Sequence, residues 1–309
     1  MVIDGNVAAI RARQQAAVGY DSGTGYARVL RGLDPTLQID VVLAADEEPK
    51  LPEGVGLEDY DGVTLTGSAL NIYSGGAPVT RQIKLAEAVF EAGVPFFGSC
   101  WGLQVAVTAA GGEVRANARG REFGFGRRIL LTAAGREHAL FAGKPAVFEA
   151  PTVHRDAIVA LPPGAVTLAE NDFGIQAASF RCGRGTFWGV QYHPEYDCRD
   201  LAAAAERYRE TLVAEGMFTD ASSLEGFAAD LRALAANPAD AALLYKHGLG
   251  PCIAKDALRL AEIHNWLHAQ VLPRAAGAHS TAGPSATAGP SATAGPSATA
   301  GRSAAAGPR

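Results

Sequence analysis

The sequence predicts an α/β fold: a mostly parallel sheet with helices on both faces, then a C-terminal helical extension and a disordered tail. Three observations lead there. Up to about Tyr196, short β-rich runs alternate with helical patterns. The runs are apolar throughout, as in Val94-Pro95-Phe96-Phe97, rather than alternating, which is how strands read when both faces of a sheet are covered. After Asp197 no β-branched run appears, and helical patterns follow one another.

In chain order, Ser22-Gly23-Thr24-Gly25 leads into a helix over 26–33. No strand runs directly into these glycines, so they do not read as a phosphate cradle. Strands are expected over 39–44, 62–66, 94–97, 129–132, 176–180 and 186–191. The clearest helix covers 79–92. Ile83, Ala86 and Phe90 share one face of it, Pro78 starts it and Gly93 ends it. The extension reads as helices over 199–215, 223–236, 239–247 and 256–271, broken by Asn237-Pro238 and by 248–251. From Ala282 the hexad AGPSAT runs three times without a large apolar side chain. Stacked repeats of it could bury nothing to offset chain entropy. The expected division is 1–198 for the α/β domain, 199–275 for the extension and 276–309 for the tail.

Composition excludes several function classes. A net charge of -5 argues against nucleic acid as a partner, because a phosphate binder needs a surplus of Lys and Arg. Cys100, Cys182, Cys198 and Cys252 form neither a disulfide framework nor a C-x-x-C motif. The start of the chain lacks a basic n-region and a long apolar stretch. The most apolar stretch, 93–110, is interrupted by Pro95, Ser99 and Gln104, which does not suit a membrane span. The expectation is a soluble, reduced, cytoplasmic protein. His264 and His268 are spaced i, i+4, but no third ligand completes a metal site, and Trp266 between them suits helix packing.

The chemistry concentrates in three places. In Phe97-Gly98-Ser99-Cys100-Trp101-Gly102-Leu103-Gln104 an apolar strand runs through G-x-C-x-G into a helical pattern. This is a nucleophile elbow with cysteine in place of serine. The starting helix points its positive end at the sulfur. Taken alone, the motif fits a buried structural cysteine in a tight turn equally well. A nucleophilic thiol needs a base, and the base an orienter. Gln191-Tyr192-His193-Pro194-Glu195 supplies both at a strand end: His193 and Glu195, two apart on extended chain, face the same side. The third place, Leu65-Thr66-Gly67-Ser68-Ala69-Leu70, breaks a strand into small residues. There the backbone at Gly67, with the amide of Trp101, can form an oxyanion hole.

These motifs resemble a class I, triad-type glutamine amidotransferase, close to the glutaminase domain of GMP synthase-like proteins, over roughly 39–197. The resemblance implies a flavodoxin-like fold. It also implies that Cys100 attacks the side-chain amide of L-glutamine to form a γ-glutamyl thioester, with His193 shuttling protons and Glu195 holding it. By the same resemblance Ser68, Gln104, Glu122 and Gly124 (in Arg121-Glu122-Phe123-Gly124), and His154 contact the substrate. Two departures stand out. Thr66-Gly67-Ser68-Ala69 replaces the usual Gly-Gly-Pro loop, and no SGGxDS or G-x-x-x-x-G-K-[ST] loop provides an ATP site. No cofactor is expected. The favoured reading is ammonia release from glutamine for a separate synthetase partner. The alternatives are a stand-alone hydrolase of γ-glutamyl peptides or conjugates, and a non-catalytic binding module.

Overall fold

Met1 to Gly5 shows how the sheet begins. Val2 and Ile3 are fully apolar and fully buried, and β1 (Val2–Asp4) pairs in parallel with β2 (Val41–Leu43) on one side and β3 (Val63–Leu65) on the other. The computed structural model describes residues 1–46 and 50–281. β4 (Phe96–Ser99) and β11 (Gly185–Val190) continue the parallel run. The sheet then changes hand of pairing. β10 (Gly174–Cys182), β9 (Val166–Asn171), β6 (Glu122–Leu131) and β7 (Val147–His154) are added antiparallel. The order across nine strands is β2-β1-β3-β4-β11-β10-β9-β6-β7, and β5 (Glu113–Ala116) pairs with β8 (Asp156–Ala160) in a separate ribbon.

The mixed sheet with helices agrees with the predicted α/β class, and the parallel half is where the strands read as unbroken apolar runs. The antiparallel half was less legible. The strand expected over 129–132 is the end of the ten-residue β6, whose earlier part carries glycines and a bulge between Gly126 and Ile129. β1, β5, β7, β8 and β9 have no counterpart among the expected strands.

The helices pack on both faces. α1 (Ala8–Val18) and α2 (Ser22–Leu33) follow β1, and α2 starts at Ser22 with Asp21 capping it through Thr24 N at 2.8 Å. The glycines expected to lead into this helix therefore form its first turn. Gly23 sits so close to β1 and β2 that a Cβ would stand 2.6 Å from Val41 Cγ1, and its N–H donates to buried Asp4 at 2.7 Å. α3 (Ala77–Ala92) has Pro in its first turn and Gly93 in the left-handed conformation at its end, as its sequence requires. α4 (Trp101–Ala109) is buried along its whole length except its last residues. α5 (Ala133–Glu137) lies beside β9.

The extension is helical. α6 (Cys198–Arg207) and α7 (Arg209–Ala214) divide the first expected helix at Tyr208. α8 (Ala221–Ala236), α9 (Ala241–Lys246), α10 (Pro251–Ala254), α11 (Asp256–Arg259) and α12 (Ala261–Trp266) follow, then a π-helical turn over Leu267–Val271 and α13 (Leu272–Thr281). Leu201, Leu212, Leu224, Ala228 and Leu231 form an apolar cluster with Phe125 of β6. Trp266 packs on Phe97 at 5.7 Å, directly beneath the strand that carries the elbow. The first residues of the expected tail belong to α13, and the repeats from Ala282 onward lie outside the described residues. Among the described residues no helix is long and apolar enough to cross a membrane.

Candidate active site

β3, β4 and β11 are neighbours and run the same way, so the chain leaves all three at one edge of the sheet. In such sheets that edge is where ligands bind. Thr66–Ala69 follow β3, Cys100 follows β4, and Gln191–Glu195 follow β11. Three segments far apart in sequence meet there because of strand order alone.

Cys100 stands between β4 and α4 with φ 51° and ψ -100°, a left-handed backbone rare for a residue with a Cβ. Glycines make the turn possible. A Cβ at Gly98 would collide with the backbone of Gly102, and one at Gly102 with the carbonyl of Leu65. The Cys100 N–H donates to Val190 O at 2.8 Å, which ties the elbow to β11. Trp101 opens α4, so its amide lies in the first turn with no helical acceptor. Its buried indole donates to Gln82 of α3 at 2.8 Å.

His193 Nδ1 lies 2.7 Å from Glu195 Oε1, while the Cys100 thiol, whose charge also acts on the imidazole, donates to Val153 O at 3.8 Å. Tyr196 stacks on the same ring at 4.2 Å between centroids. Burial works to lower the His193 pKa, but the Glu195 carboxylate and the Cys100 sulfur that face the ring raise it to about 10. Near neutral pH the imidazole therefore holds its proton. Glu195 Oε2 is buried without a hydrogen-bond partner among the described residues. The sequence-predicted Cys100, His193 and Glu195 are thus brought into one row, with a hydrogen bond between His193 and Glu195.

Gly67 closes against this row, for a Cβ there would run into His193 Cε1. Its carbonyl accepts from Asn6 Nδ2 at 3.3 Å and from Thr66 Oγ1 at 3.0 Å, and Asn6 Oδ1 accepts from Ala69 N at 3.0 Å. Asn6 thereby holds the loop at two points where the usual proline is missing. Ser68 lies beside His193 in a narrow cleft with Gly67, Tyr196, Arg207 and Tyr208.

The other predicted contacts have partners within the protein. Gln104 is buried and donates to Gln191 Oε1 at 3.2 Å. Glu122 and His154 face each other at 2.8 Å in a buried network. There Glu122 also accepts from Asn171 and Gln176, while His154 Nδ1 lies 2.9 Å from Asp156 O. Gly124, with φ 90°, lies against Phe227 of α8. The cleft beside His193 is lined by none of Gln104, Glu122, Gly124 or His154.

Sequence reasoning missed the groups that hold the His193 turn. Arg259 of α11 donates to Pro194 O at 2.8 Å and to Tyr196 O at 3.0 Å, on either side of Glu195. The Tyr192 hydroxyl donates to Glu262 of α12, which in turn pairs with Lys144 at 2.8 Å, both fully buried. These partners lie more than 60 residues from the turn they hold, apart from Lys144, so no local pattern marks them.

Comparison with known proteins follows the same outline. The family model for class-I glutamine amidotransferase matches residues 21–205. A γ-glutamyl-L-1-hydroxyisopropylamide hydrolase of a Pseudomonas species is 34% identical over 278 residues, 89% of this chain and 94% of that protein. The GMP synthase (glutamine-hydrolyzing) of Streptomyces avermitilis is 37% identical over 133 residues, and the match spans only 23% of its length. The crystal structure of a glutamine amidotransferase from Thermotoga maritima shares the fold, with a TM-score of 0.60 at 18% identity over 88% of this chain and 97% of that one. A match that begins ahead of α2 and runs through the elbow and the His193 turn into α6 assigns the chain to one family: it belongs to the class-I glutamine amidotransferases.

Proposed function

We propose that this protein hydrolyses γ-glutamyl amides through a thioester on Cys100, with an amine rather than ammonia as its natural leaving group. Cys100 attacks the γ-carbonyl carbon with its proton held on His193. The oxygen that becomes anionic lies between the Trp101 amide and the backbone of the Gly67–Ser68 loop, whose carbonyl is held away by Asn6 and Thr66. His193, kept protonated by Glu195, gives its proton to the departing amine. Water then attacks the thioester, His193 takes up its proton, and glutamate leaves.

The observation that carries the amine-releasing reading is the length of the likeness to the Pseudomonas hydrolase, which runs over 94% of that protein. A second reading, glutaminase activity feeding ammonia to a separate synthetase, is favoured by the likeness to GMP synthase, but that likeness covers less than half of this chain.

Product analysis on the purified protein separates the two. L-Glutamine and a panel of N-alkyl γ-glutamyl amides are offered separately, with Cys100→Ala as control, and glutamate, ammonia and free amine are measured. Faster amine release than ammonia release, dependent on Cys100, is the expected result. Ammonia from glutamine as the faster reaction overturns it in favour of the glutaminase. Amine release undiminished in Cys100→Ala rules out the thioester.

A further inference from the structure

We infer that Arg207, on the helical extension, binds the α-carboxylate of the γ-glutamyl group. The inference rests on the γ-glutamyl reading above and names the residue that makes the site selective for that group. A γ-glutamyl amide differs from other amides of similar length by the charged carboxylate and ammonium at its far end. A site that recognises it needs a cation facing the nucleophile.

Arg207 and Arg121 both stack on Tyr208, which lines the cleft beside His193, and Arg155 joins Arg121 through Glu215; two of these three guanidinium groups are already engaged. Arg121 and Arg155 share the carboxylate of Glu215, at 2.9 and 2.7 Å, and together they pull its pKa below the usual carboxylate range. Arg207 ends α6 and lines the cleft with His193, Ser68 and Tyr196. Among the described residues no carboxylate pairs with it, and its buried Nε has no hydrogen-bond partner. A buried polar atom left in this way is costly unless a ligand completes it. The guanidinium lies over the Tyr208 ring at 5.2 Å, and Arg121 lies over the same ring at 5.3 Å. Stacking holds the plane of the Arg207 fork while leaving its donors available, the arrangement that suits bidentate recognition of a carboxylate.

Arg207 also lies past residue 205, where the family match ends. The proposed selectivity residue therefore lies just outside the segment that the family model matches. A basic residue in the last turn of a helix also complements the helix dipole. That role is served by any cation facing water, and it does not call for a buried Nε at the rim of a cleft.

The test compares L-γ-glutamyl-p-nitroanilide with its α-carboxamide counterpart, which has the same shape and no carboxylate. Wild-type protein is expected to prefer the free acid. Arg207→Gln should raise KM for the free acid by about 10- to 100-fold with a much smaller change in kcat, so that the preference collapses. Arg207→Lys should recover part of it. Thermal unfolding of each variant separates a binding defect from a folding one. Equal losses on both substrates, or an unchanged KM in a folded Arg207→Gln, overturn the assignment and leave Arg207 as a helix-end residue. Failure of the wild type to cleave either compound overturns the γ-glutamyl reading itself, a different outcome from failure of Arg207 alone.

Discussion

The two sides of the candidate site are held by different means. On the side of the proposed nucleophile, Cys100, the elbow is built from sterics over five residues: Gly98 and Gly102 remove the Cβ atoms that would block it, and β4 and α4 supply the rest. On the side of the proposed base, the His193 turn is held by polar groups from the helical extension, with Arg259 on the carbonyls flanking Glu195 and Glu262 on Tyr192. A local device can be read from a local motif. A device assembled from groups brought together by the fold cannot, and it ties the chemistry to the packing of a distant segment.

The largest expected effect falls on the nucleophile side. Cys100→Ala and Cys100→Gly should both lose activity by at least about 10⁴-fold, since members of such a set act as a unit. The two should part company in stability. At φ 51° an alanine keeps the strain that cysteine bears, whereas glycine is released from it, so Cys100→Gly should unfold about 1 kcal/mol later than Cys100→Ala. Chemical denaturation of the pair measures this directly. Equal midpoints would mean that the elbow is not strained, and the steric account of this side would be lost.

The same contrast explains how much was legible in the sequence. GSCWGLQ and QYHPE were found because the residues that shape each motif are contiguous, and unbroken apolar runs marked the parallel strands on which they sit. Asn6 went unnoticed because what it holds, the loop after β3, is 61 residues away. Glu122 and His154 are candidates for substrate contact on family likeness alone, and their hydrogen bond to each other across β6 and β7 is announced by neither strand's own pattern. β7 and β9 escaped notice for a related reason. Their antiparallel pairing leaves one face less deeply buried, and the mixed pattern that results is weaker than a continuous apolar run.

A smaller effect, on the base side, tests whether the extension supports the site. Lys144 and Glu262 form an ion pair with almost no exposure, and Tyr192 depends on the same carboxylate. Glu262→Gln leaves a buried ammonium without its counter-charge and should cost about 3–5 kcal/mol. Adding Lys144→Met removes that charge while the glutamine still accepts from Tyr192, and it should restore most of the loss. Urea unfolding of the single and double variants reads both steps. A single variant as stable as the wild type would detach the base side from the extension.

The smallest effect joins the two sides, because both Glu195 and the Cys100 sulfur raise the His193 pKa. A histidine held at about 10 in the folded protein, against 6.5 when free, binds its proton more tightly folded than unfolded. Its contribution is therefore fully present below about pH 6.5, declines between there and about pH 10, and is gone above that. It amounts to no more than a few kcal/mol. Wild-type stability measured across this window should fall more steeply with pH than that of His193→Gln. Cys100→Ala should lie between them, since it removes one of the two groups that lift the pKa and leaves Glu195 in place. An intermediate slope means that nucleophile and base are electrostatically one unit despite their separate supports. A slope in Cys100→Ala equal to that of the wild type would mean that Glu195 alone sets the proton on His193 and that the two sides meet only when substrate lies between them.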